Sequence, residues 1–318
     1  MKGKAPDLFA RPPDDKTDGW YKVVRDRSDF MQVKDHMKEM WGFYYSAGLS
    51  DPHFVSEFPT RMFHRWWELE VAWFLSHQGF TLESDSCGPD LVCTKEGRSI
   101  YVEDVICEPG NADSPDRPGE LLPGTPRHGE ARITHVELPE RERLELLRIR
   151  NSIESKVQQY HRRVEKNHID PRIPYVIALS PVMVPNMITD HDGIPSAVKA
   201  VYPVGQIYLS LNRMSGKVDD KGRSHRPKIQ KWNKADIHTN IFLPSTEQEK
   251  YGGISGILYS SYSFKRTDYL SAMSRSFILV HNYIANKPLE RCQIGKDMDF
   301  WIEEDDEEYR LQNNVQSD

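Results

Sequence analysis

The chain contains 318 residues, of which 38% are hydrophobic and 28% are charged. This length and apolar content allow a substantial core, in one large domain or two small ones. The formal net charge of -6 at pH 7 excludes a globally basic nucleic-acid-binding protein, so any basic surface must be local.

Residues 1–58 are predicted to form a mobile arm followed by a helical cap. Residues 1 to about 18 are rich in Pro, Asp and Lys, a composition typical of a mobile terminus. From residue 29 to about residue 45, apolar and aromatic residues recur at helical spacing, which predicts a helix with its aromatic stripe in the core. Pro52 and Pro59 then interrupt the chain before the next element.

A second amphipathic helix is predicted at residues 63–79, near the start of a core region that spans residues 59–182. Its apolar positions recur at helical spacing, and they are Phe63, Trp67, Val71, Phe74 and Leu75. Gly79 closes the C-terminal end of the helix, and the acid Glu68 lies inside it. A short strand at residues 81–84 is predicted to follow.

Residues 87–105 are predicted to form two strands joined by a turn at residues 96–97. Asp90 opens the first strand, and Glu103 lies within a near-continuous apolar run that is typical of a strand buried on both faces. An acid in such a run is costly to desolvate unless a partner compensates it. The alternatives are a turn role for Asp90 and a solvated or salt-bridged role for Glu68.

Carboxylates in this arrangement suit a magnesium ion. Mg²⁺ takes oxygen ligands, and it usually binds through one or two carboxylates while it keeps waters and substrate phosphate oxygens. A metal held in this way activates a water and neutralises the charge that develops on a phosphate. The hairpin therefore predicts that Asp90 and Glu103 are metal ligands.

The order and spacing of these acids resemble the active site of the PD-(D/E)XK nuclease superfamily over about residues 60 to 180. The motifs that carry the resemblance are Glu68 with Gly79 behind it, Gly88-Pro89-Asp90, and Tyr101-Val102-Glu103. The resemblance implies an α/β fold with a restriction-endonuclease-like core, which is a mixed central sheet flanked by helices. Around that core we expect an N-terminal helical cap and a strand-rich C-terminal extension. The resemblance also implies Mg²⁺, with Mn²⁺ as a substitute, bound by Asp90 and Glu103 and reached by Glu68 directly or through a water.

The lysine of this superfamily normally lies two residues beyond the strand glutamate, where this chain has Val105. Some members resemble this chain in carrying a lysine or glutamine on the following helix, and Lys156 or Gln159 matches that position. A solvated helical lysine is the alternative interpretation of Lys156. Without such a substitute, the chain would be a catalytically inactive nuclease-like scaffold that binds nucleic acid or protein.

An irregular segment and a long helix are predicted after the hairpin. Residues 108–130 are rich in Pro and Gly, and their place directly after the strand with Glu103 leads us to expect that they border the substrate groove. Helical spacing of apolar residues, with acids at the start and bases at the end, predicts a helix from about Pro139 to Asn167. An apolar strand at residues 174–179 completes the predicted core.

The extension at residues 183–302 is expected to add strands that continue the sheet or form a small subdomain. The predicted strands are Gln206–Leu211, Ile237–Leu243, Gly256–Ser263 and Phe277–His281. A basic stretch between them is predicted to bind nucleic acid through Arg213, Lys217, Arg223, Arg226, Lys228, Lys231 and Trp232. The cations suit phosphate contacts and Trp232 suits stacking on a base, with a solvated hairpin tip as the alternative. The acidic tail at residues 303–318 is expected to be disordered.

The sequence as a whole favours a Mg²⁺-dependent endonuclease that hydrolyses phosphodiester bonds, with DNA as substrate and RNA as the less favoured choice. A homodimer is the assembly that we consider, and no membrane contact is expected. The cysteines form no CxxC pair and are expected to be free thiols of a reducing compartment. The N-terminus has no apolar signal segment, so a cytoplasmic location is expected.

Overall fold

An eight-stranded mixed sheet organises the residues that the computed structural model describes. These residues are 4–85, 87–118, 137–185, 192–211, 218–244, 248–266, 269–272, 276–305 and 308–315. The helices are α1 (Gly19–Asp26), α2 (Met31–Ser46), α3 (Phe54–Glu57), α4 (Met62–His77), α5 (Glu137–Glu165), α6 (Ser196–Val201), α7 (Gln248–Tyr251) and α8 (Tyr269–Ala272). The strands are β1 (Thr81–Glu83), β2 (Leu91–Lys95), β3 (Arg98–Ile106), β4 (Tyr175–Ser180), β5 (Val204–Leu211), β6 (Val218–His225), β7 (Lys228–Gln230), β8 (Asp236–His238), β9 (Gly256–Tyr259), β10 (Ile278–His281), β11 (Asp299–Asp305) and β12 (Glu308–Asn313).

The strand order of the large sheet is β1-β2-β3-β4-β9-β10-β11-β12. β2 and β3 form an antiparallel hairpin, whereas β3, β4 and β9 run parallel to one another. Parallel neighbours need a long crossover, and α5 lies between β3 and β4 in the chain. The predicted mixed α/β architecture with a large mixed sheet is confirmed. Two separate ribbons, β5–β6 and β7–β8, lie outside that sheet.

Two apolar cores cover the two faces of the sheet, and β3 contributes to both. Ile100 and Val102 belong to the core that contains α4, whereas Tyr101 and Val105 pack on the core that contains α5. This division follows from the alternation of side chains along a strand. Neighbouring residues of β3 therefore face different helices.

The turn between β2 and β3 has the conformation that its sequence predicts. Glu96 and Gly97 have φ angles of 52° and 77°. Two successive positive φ angles are characteristic of a type I′ turn, whose twist matches that of the flanking strands. The predicted hairpin and its turn are confirmed, and the turn fixes the register in which Leu91 pairs with Val102.

The N-terminal segment is anchored to the core at residues 8 and 9, which differs from the mobile arm predicted for residues 1–18. Leu8 and Phe9 are buried, and the ring of Phe9 stacks on Tyr21 at a centroid distance of 5.4 Å. The indole N–H of Trp41 donates to the carbonyl of Pro6 at 2.7 Å. Two apolar anchors are enough to hold a segment that is otherwise rich in Pro and Asp.

The C-terminal residues also differ from the prediction, because the tail through residue 315 continues the sheet. β11 and β12 pair antiparallel, with Ile302 opposite Leu311, and both residues pack on the core that contains α5. Asp305 forms an ion pair with Arg310 at 3.0 Å, which compensates part of the acidic run. Residues 316–318 lie outside the described residues.

Strands β9, β10, β11 and β12 join the same sheet as β1–β4, which is the first of the two arrangements expected for the extension. The predicted strand at Ile237–Leu243 is confirmed only at its start, as β8. The N–H of Leu243 donates to the carbonyl of Asn240 in a turn, and Phe242 is buried beside it. Within the part of the chain that is described, no helix is long and apolar enough to cross a membrane.

Candidate active site

Helix α4 is anchored to the centre of the sheet and places Glu68 beside β3. The helix is buried nearly all round, and the indole N–H of Trp67 donates to the carbonyl of Ala178 in β4 at 3.1 Å. Glu68, the next residue, is half-buried and lines a cavity of about 510 Å³. This cavity lies between α4, the C-terminal end of β3 and α5.

Four carboxylates line the cavity. Glu68, Asp90 and Asp104 belong to α4, to the residue before β2 and to β3, and the fourth, Glu108, follows β3. Asp90 lies just before β2, and its Oδ2 accepts the backbone N–H of Asp104 at 2.7 Å. Asp104 Oδ1 is buried and has no hydrogen-bond partner among the described residues. A buried carboxylate oxygen without a partner is costly, so this atom favours a ligand that supplies positive charge or a donor.

Burial and mutual repulsion disfavour the charged forms of these acids. Burial raises the pKa of Glu68 to about 7, with Asp90 adding to the rise and Arg65 opposing it. Burial and the charge of Glu103 raise the pKa of Asp90 to about 6, although the exposed side of Asp90 allows solvent to screen part of this effect. Burial and the charges of Asp90 and Glu68 raise the pKa of Asp104 well above its usual range. A cation in the cavity would stabilise the charged forms of Glu68, Asp90 and Asp104 and lower their pKa values.

Glu103 does not line this cavity, which corrects its predicted place beside Glu68. Its side chain is 1% exposed, and Oε1 accepts from Lys156 Nζ at 2.7 Å. Oε2 accepts from the guanidinium of Arg163 and from the hydroxyl of Tyr175. Glu103 therefore has a full set of protein partners on the face of β3 that α5 covers.

Asp104 is the residue that the sequence interpretation missed. Side chains alternate along a strand, so Asp104 shares the face of Val102 and Ile106, which is the face that packs on α4. The signal was present in the sequence, because an assignment of Val102 to the same core as Trp67 would have put Asp104, and not Glu103, beside Glu68. The two acids are adjacent in the chain and differ only in which face of the strand they occupy.

Of the two predicted helical residues, Lys156 lines the cavity and Gln159 does not. Lys156 is half-buried, and its ion pair with Glu103 holds the ammonium group at the boundary between the two faces of β3. Its charge lowers the pKa of both Asp90 and Asp104. The predicted approach of Lys156 to the acids agrees with this placement.

Glu68 is held by Arg65 from the preceding turn of α4. The guanidinium Nη1 of Arg65 lies 2.9 Å from Glu68 Oε2, and the same group also binds Asp51 and Glu57 at 2.7 Å each. At the mouth of the cavity, His64 Nε2 lies 3.5 Å from a carboxylate oxygen of Glu108. Glu108 belongs to the irregular segment after β3 and lines the cavity, as expected for the described part of that segment; residues 119–136 lie outside the described residues.

The donor set of the cavity fits a hard divalent cation, although its present geometry does not form a ready-made site. Among the described residues, no group of three or more His, Cys, Asp or Glu side chains is placed to hold a metal ion. The carboxylates of Glu68, Asp90 and Asp104 offer oxygen, which Mg²⁺ and Mn²⁺ prefer. The orphaned Oδ1 of Asp104 is the atom that such an ion would satisfy, and Glu68 would have to turn from Arg65 to join it.

The predicted nucleic-acid-binding residues fall into two groups, those that form ion pairs within the protein and those that line a cavity or are exposed. Arg223 binds Asp192, Arg226 binds Glu142 and Lys228 binds Asp236, each at 2.6 Å. These cations are largely neutralised within the protein. By contrast, Lys231 lines a second cavity and the Trp232 side chain is 72% exposed. Arg213 and Lys217 lie outside the described residues.

Comparisons of the chain with protein-family models, with curated proteins and with solved structures gave no match.

Proposed function

We propose that the chain is a divalent-metal-dependent nuclease that hydrolyses phosphodiester bonds, with DNA as the favoured substrate. The observation that carries this proposal is the convergence of Glu68, Asp90 and Asp104 on one cavity, with Asp104 Oδ1 buried and unpartnered among the described residues. Like charges in a partly dehydrated site repel one another unless a cation compensates them. A cavity of about 510 Å³ leaves room for a phosphate group and the ion.

The residues divide the chemical work as follows. Asp90 and Asp104 would hold Mg²⁺ or Mn²⁺, and Glu68 would reach it directly or through a water. The ion supplies Lewis-acid activation of a water and offsets the charge that develops on the phosphate. Lys156 adds a positive charge on the same cavity, where it stabilises the negative phosphoryl oxygens.

In this proposal Glu103 makes no contact with the metal or the phosphate and acts mainly by holding Lys156. Its Oε1 lies 2.7 Å from Lys156 Nζ, and its Oε2 is occupied by Arg163 and Tyr175. Because the ammonium group of a lysine rotates freely on a flexible stem, a fixed acceptor restricts it to one position. Glu103 is therefore a positioning residue, and Asp104 takes the ligand role that the sequence assigned to Glu103.

A second candidate function is binding without cleavage, by a scaffold of nuclease type. The observation that favours it is the absence of a ready-made metal group among the described residues, together with the ion pairs of Glu68 and Lys156. In that case the cavity would bind nucleic acid or protein while its carboxylates stay protonated or ion-paired. The two functions make different predictions for added metal.

Cleavage of supercoiled plasmid and of labelled DNA and RNA oligonucleotides, with Mg²⁺ or Mn²⁺, tests the nuclease proposal. Asp104→Asn should lower the cleavage rate about 100-fold or more, the scale observed when a group that stabilises a transition state is removed. Asp170→Asn is a matched control, because Asp170 pairs only with Arg172 among its described ion-pair partners and does not line the cavity.

Equal cleavage by wild-type protein and Asp104→Asn would assign any activity to another site and refute the proposal. If wild-type protein binds DNA but neither cleaves it nor releases or takes up heat with Mn²⁺, the binding scaffold is the correct alternative. Cleavage of RNA but not DNA would retain the site and change the substrate.

A further inference from the structure

A second cavity, of about 220 Å³, adjoins the proposed active site. Asn151 of α5 lines both cavities, so they are neighbours along that helix. The remaining walls of the smaller cavity come from β8, from α7 and from the loop that joins β7 to β8. The proposed nuclease chemistry uses none of these walls.

Arg150 gives the smaller cavity an unsatisfied donor. Its side chain is 95% buried; Nε donates to the carbonyl of His238 at 3.0 Å and Nη2 donates to the hydroxyl of Tyr251 at 3.1 Å. Nη1 is buried and has no partner among the described residues. A buried charged donor that lacks an acceptor costs about 1–3 kcal/mol or more, so an acceptor from outside the chain is favoured.

Two lysines add positive charge to the same cavity. Lys250 Nζ lies 2.7 Å from Glu154 Oε1, and the other carboxylate oxygen of Glu154 accepts from the hydroxyl of Tyr251. Lys231 makes no ion pair with a described residue. Asp236, the other acid in the walls, is paired with Lys228. The cations that line the cavity thus outnumber the acids, which favours an anionic ligand.

We propose that this cavity binds a backbone phosphate of the nucleic-acid strand, while Trp232 stacks on a neighbouring base. The inference rests on the proposed function for the identity of the strand. Arg150 Nη1 and the Lys231 ammonium group would donate to the phosphate oxygens, a geometry in which a guanidinium and an ammonium complement each other.

The position of Trp232 supports a strand and not a free ion. Its side chain is 72% exposed and directly follows Lys231 in the chain. The backbone N–H of Trp232 donates to both carboxylate oxygens of Asp116 at 3.1 Å, which fixes the loop against the segment that borders the active site. An exposed indole beside a phosphate site is the arrangement by which proteins stack bases of a single strand.

The spacing along α5 sets where the phosphate lies relative to the cleaved bond. Arg150 and Lys156 are six residues apart, which corresponds to about 9 Å along a helix axis. A nucleic-acid strand advances about 3.4 Å per nucleotide. An axial rise of about 9 Å, with the side chains about 120° apart around the helix, places the two phosphates on different nucleotides of one strand.

Binding measured in EDTA tests this site separately from cleavage. The probe is a fluorescein-labelled single-stranded or duplex DNA oligonucleotide, read by anisotropy over a range of salt concentrations. Lys231→Gln should weaken binding about 5-fold to 20-fold and reduce the slope of log affinity against log salt by about 1, as expected for the loss of one phosphate contact. Lys234→Gln removes the same charge from the same loop outside the cavity, and should change affinity less than about 2-fold.

Two further measurements complete the test. Arg150→Lys keeps the charge but loses the fork of donors, so it should weaken binding while a circular dichroism spectrum shows the folded state. Intrinsic tryptophan fluorescence should be quenched by oligonucleotide in wild-type protein, and less so in Lys231→Gln and in Trp232→Phe, which separates Trp232 from the other six tryptophans. Titration with inorganic phosphate alone then distinguishes the two sources of the anion.

Equal effects of Lys231→Gln and Lys234→Gln, or no effect of either, overturn the proposal. Loss of inorganic phosphate binding in Lys231→Gln with unchanged oligonucleotide affinity also overturns it, because the site would then take a free anion. A protein that fails to cleave DNA but loses oligonucleotide affinity specifically in Lys231→Gln supports this site and refutes only the nuclease proposal.

Discussion

Glu68→Gln should change how the stability of the protein depends on pH. The substitution keeps the shape of the side chain and removes its titration. Burial, with Asp90 nearby, raises the pKa of Glu68 from its ordinary value of 4.5 to about 7, so the folded protein binds this proton more tightly than the unfolded chain does. Between these two pKa values, the folded state carries the larger number of protons, and its stability falls as the pH rises.

The size of this effect follows from the pKa difference. At about 1.4 kcal/mol for each pKa unit, a rise from 4.5 to about 7 corresponds to about 3 kcal/mol. The side chain of Glu68 is 25% exposed, and solvent screening reduces the expected value to about 2 kcal/mol. The contribution is fully present below about pH 4.5 and is lost by about pH 7.

Urea unfolding of wild-type protein and Glu68→Gln at several pH values from about 4.5 to about 8 measures the effect. The difference in free energy of unfolding between the two proteins should move by about 2 kcal/mol across this range, in favour of the variant at high pH. Arg65 keeps Asp51 and Glu57 as partners in the variant, and its ion pair with Glu68 is already included in the pKa of Glu68, so the pair adds no separate contribution.

Subtraction of the two curves removes the groups that do not interact with Glu68, so the difference reports Glu68 together with its coupled neighbours Asp90 and Asp104. Burial also raises the pKa of Glu70 to about 7, but that group is present in both proteins and cancels. Parallel curves for wild-type protein and Glu68→Gln, within about 0.5 kcal/mol, would refute the electrostatic description of the cavity.

The remaining predictions concern the neighbouring acids and the lysine. Mn²⁺ at about 100 times its dissociation constant should stabilise wild-type protein by about 2.7 kcal/mol in thermal unfolding, and Asp104→Asn should abolish the gain. Glu103→Gln should destabilise the fold by about 3–5 kcal/mol, measured by urea unfolding, because it leaves Lys156 and Arg163 without their buried carboxylate. Lys156→Ala should lower the cleavage rate at saturating metal while calorimetry finds Mn²⁺ affinity no weaker than in wild-type protein; a rate equal to that of wild type would remove Lys156 from the chemistry.

Local signals in the sequence were sufficient for the elements around the cavity. The helical spacing around Glu68 predicted α4, and the residues at 96–97 predicted a turn whose positive φ angles the structure contains. The charge gradient and apolar stripe predicted α5 to within about two residues at each end. In each case the information lies within a single element, so no knowledge of tertiary contacts is needed.

The choice between Glu103 and Asp104 required tertiary information. Both acids lie on the same strand, and only the packing of Val102 against the α4 side decides which of them faces Glu68. The buried pairing of Glu103 with Arg163 involves residues 60 positions apart in the chain, so no local pattern contains it. The ion pairs of the basic stretch also required tertiary information, since the partners of Arg223 and Arg226 are distant acids.

Helix α5 contributes residues to both cavities, so one rigid element sets their relative position. Its 29 residues span about 43 Å, and Arg150 and Lys156 lie about 9 Å apart along its axis. Under the two proposals above, the rigid helix would hold the backbones of Arg150 and Lys156 at a fixed separation, and only their side chains would adapt to the bound strand. A strand with a missing, bulged or abasic position between those two residues would fit one cavity less well. Binding would therefore favour a continuous strand.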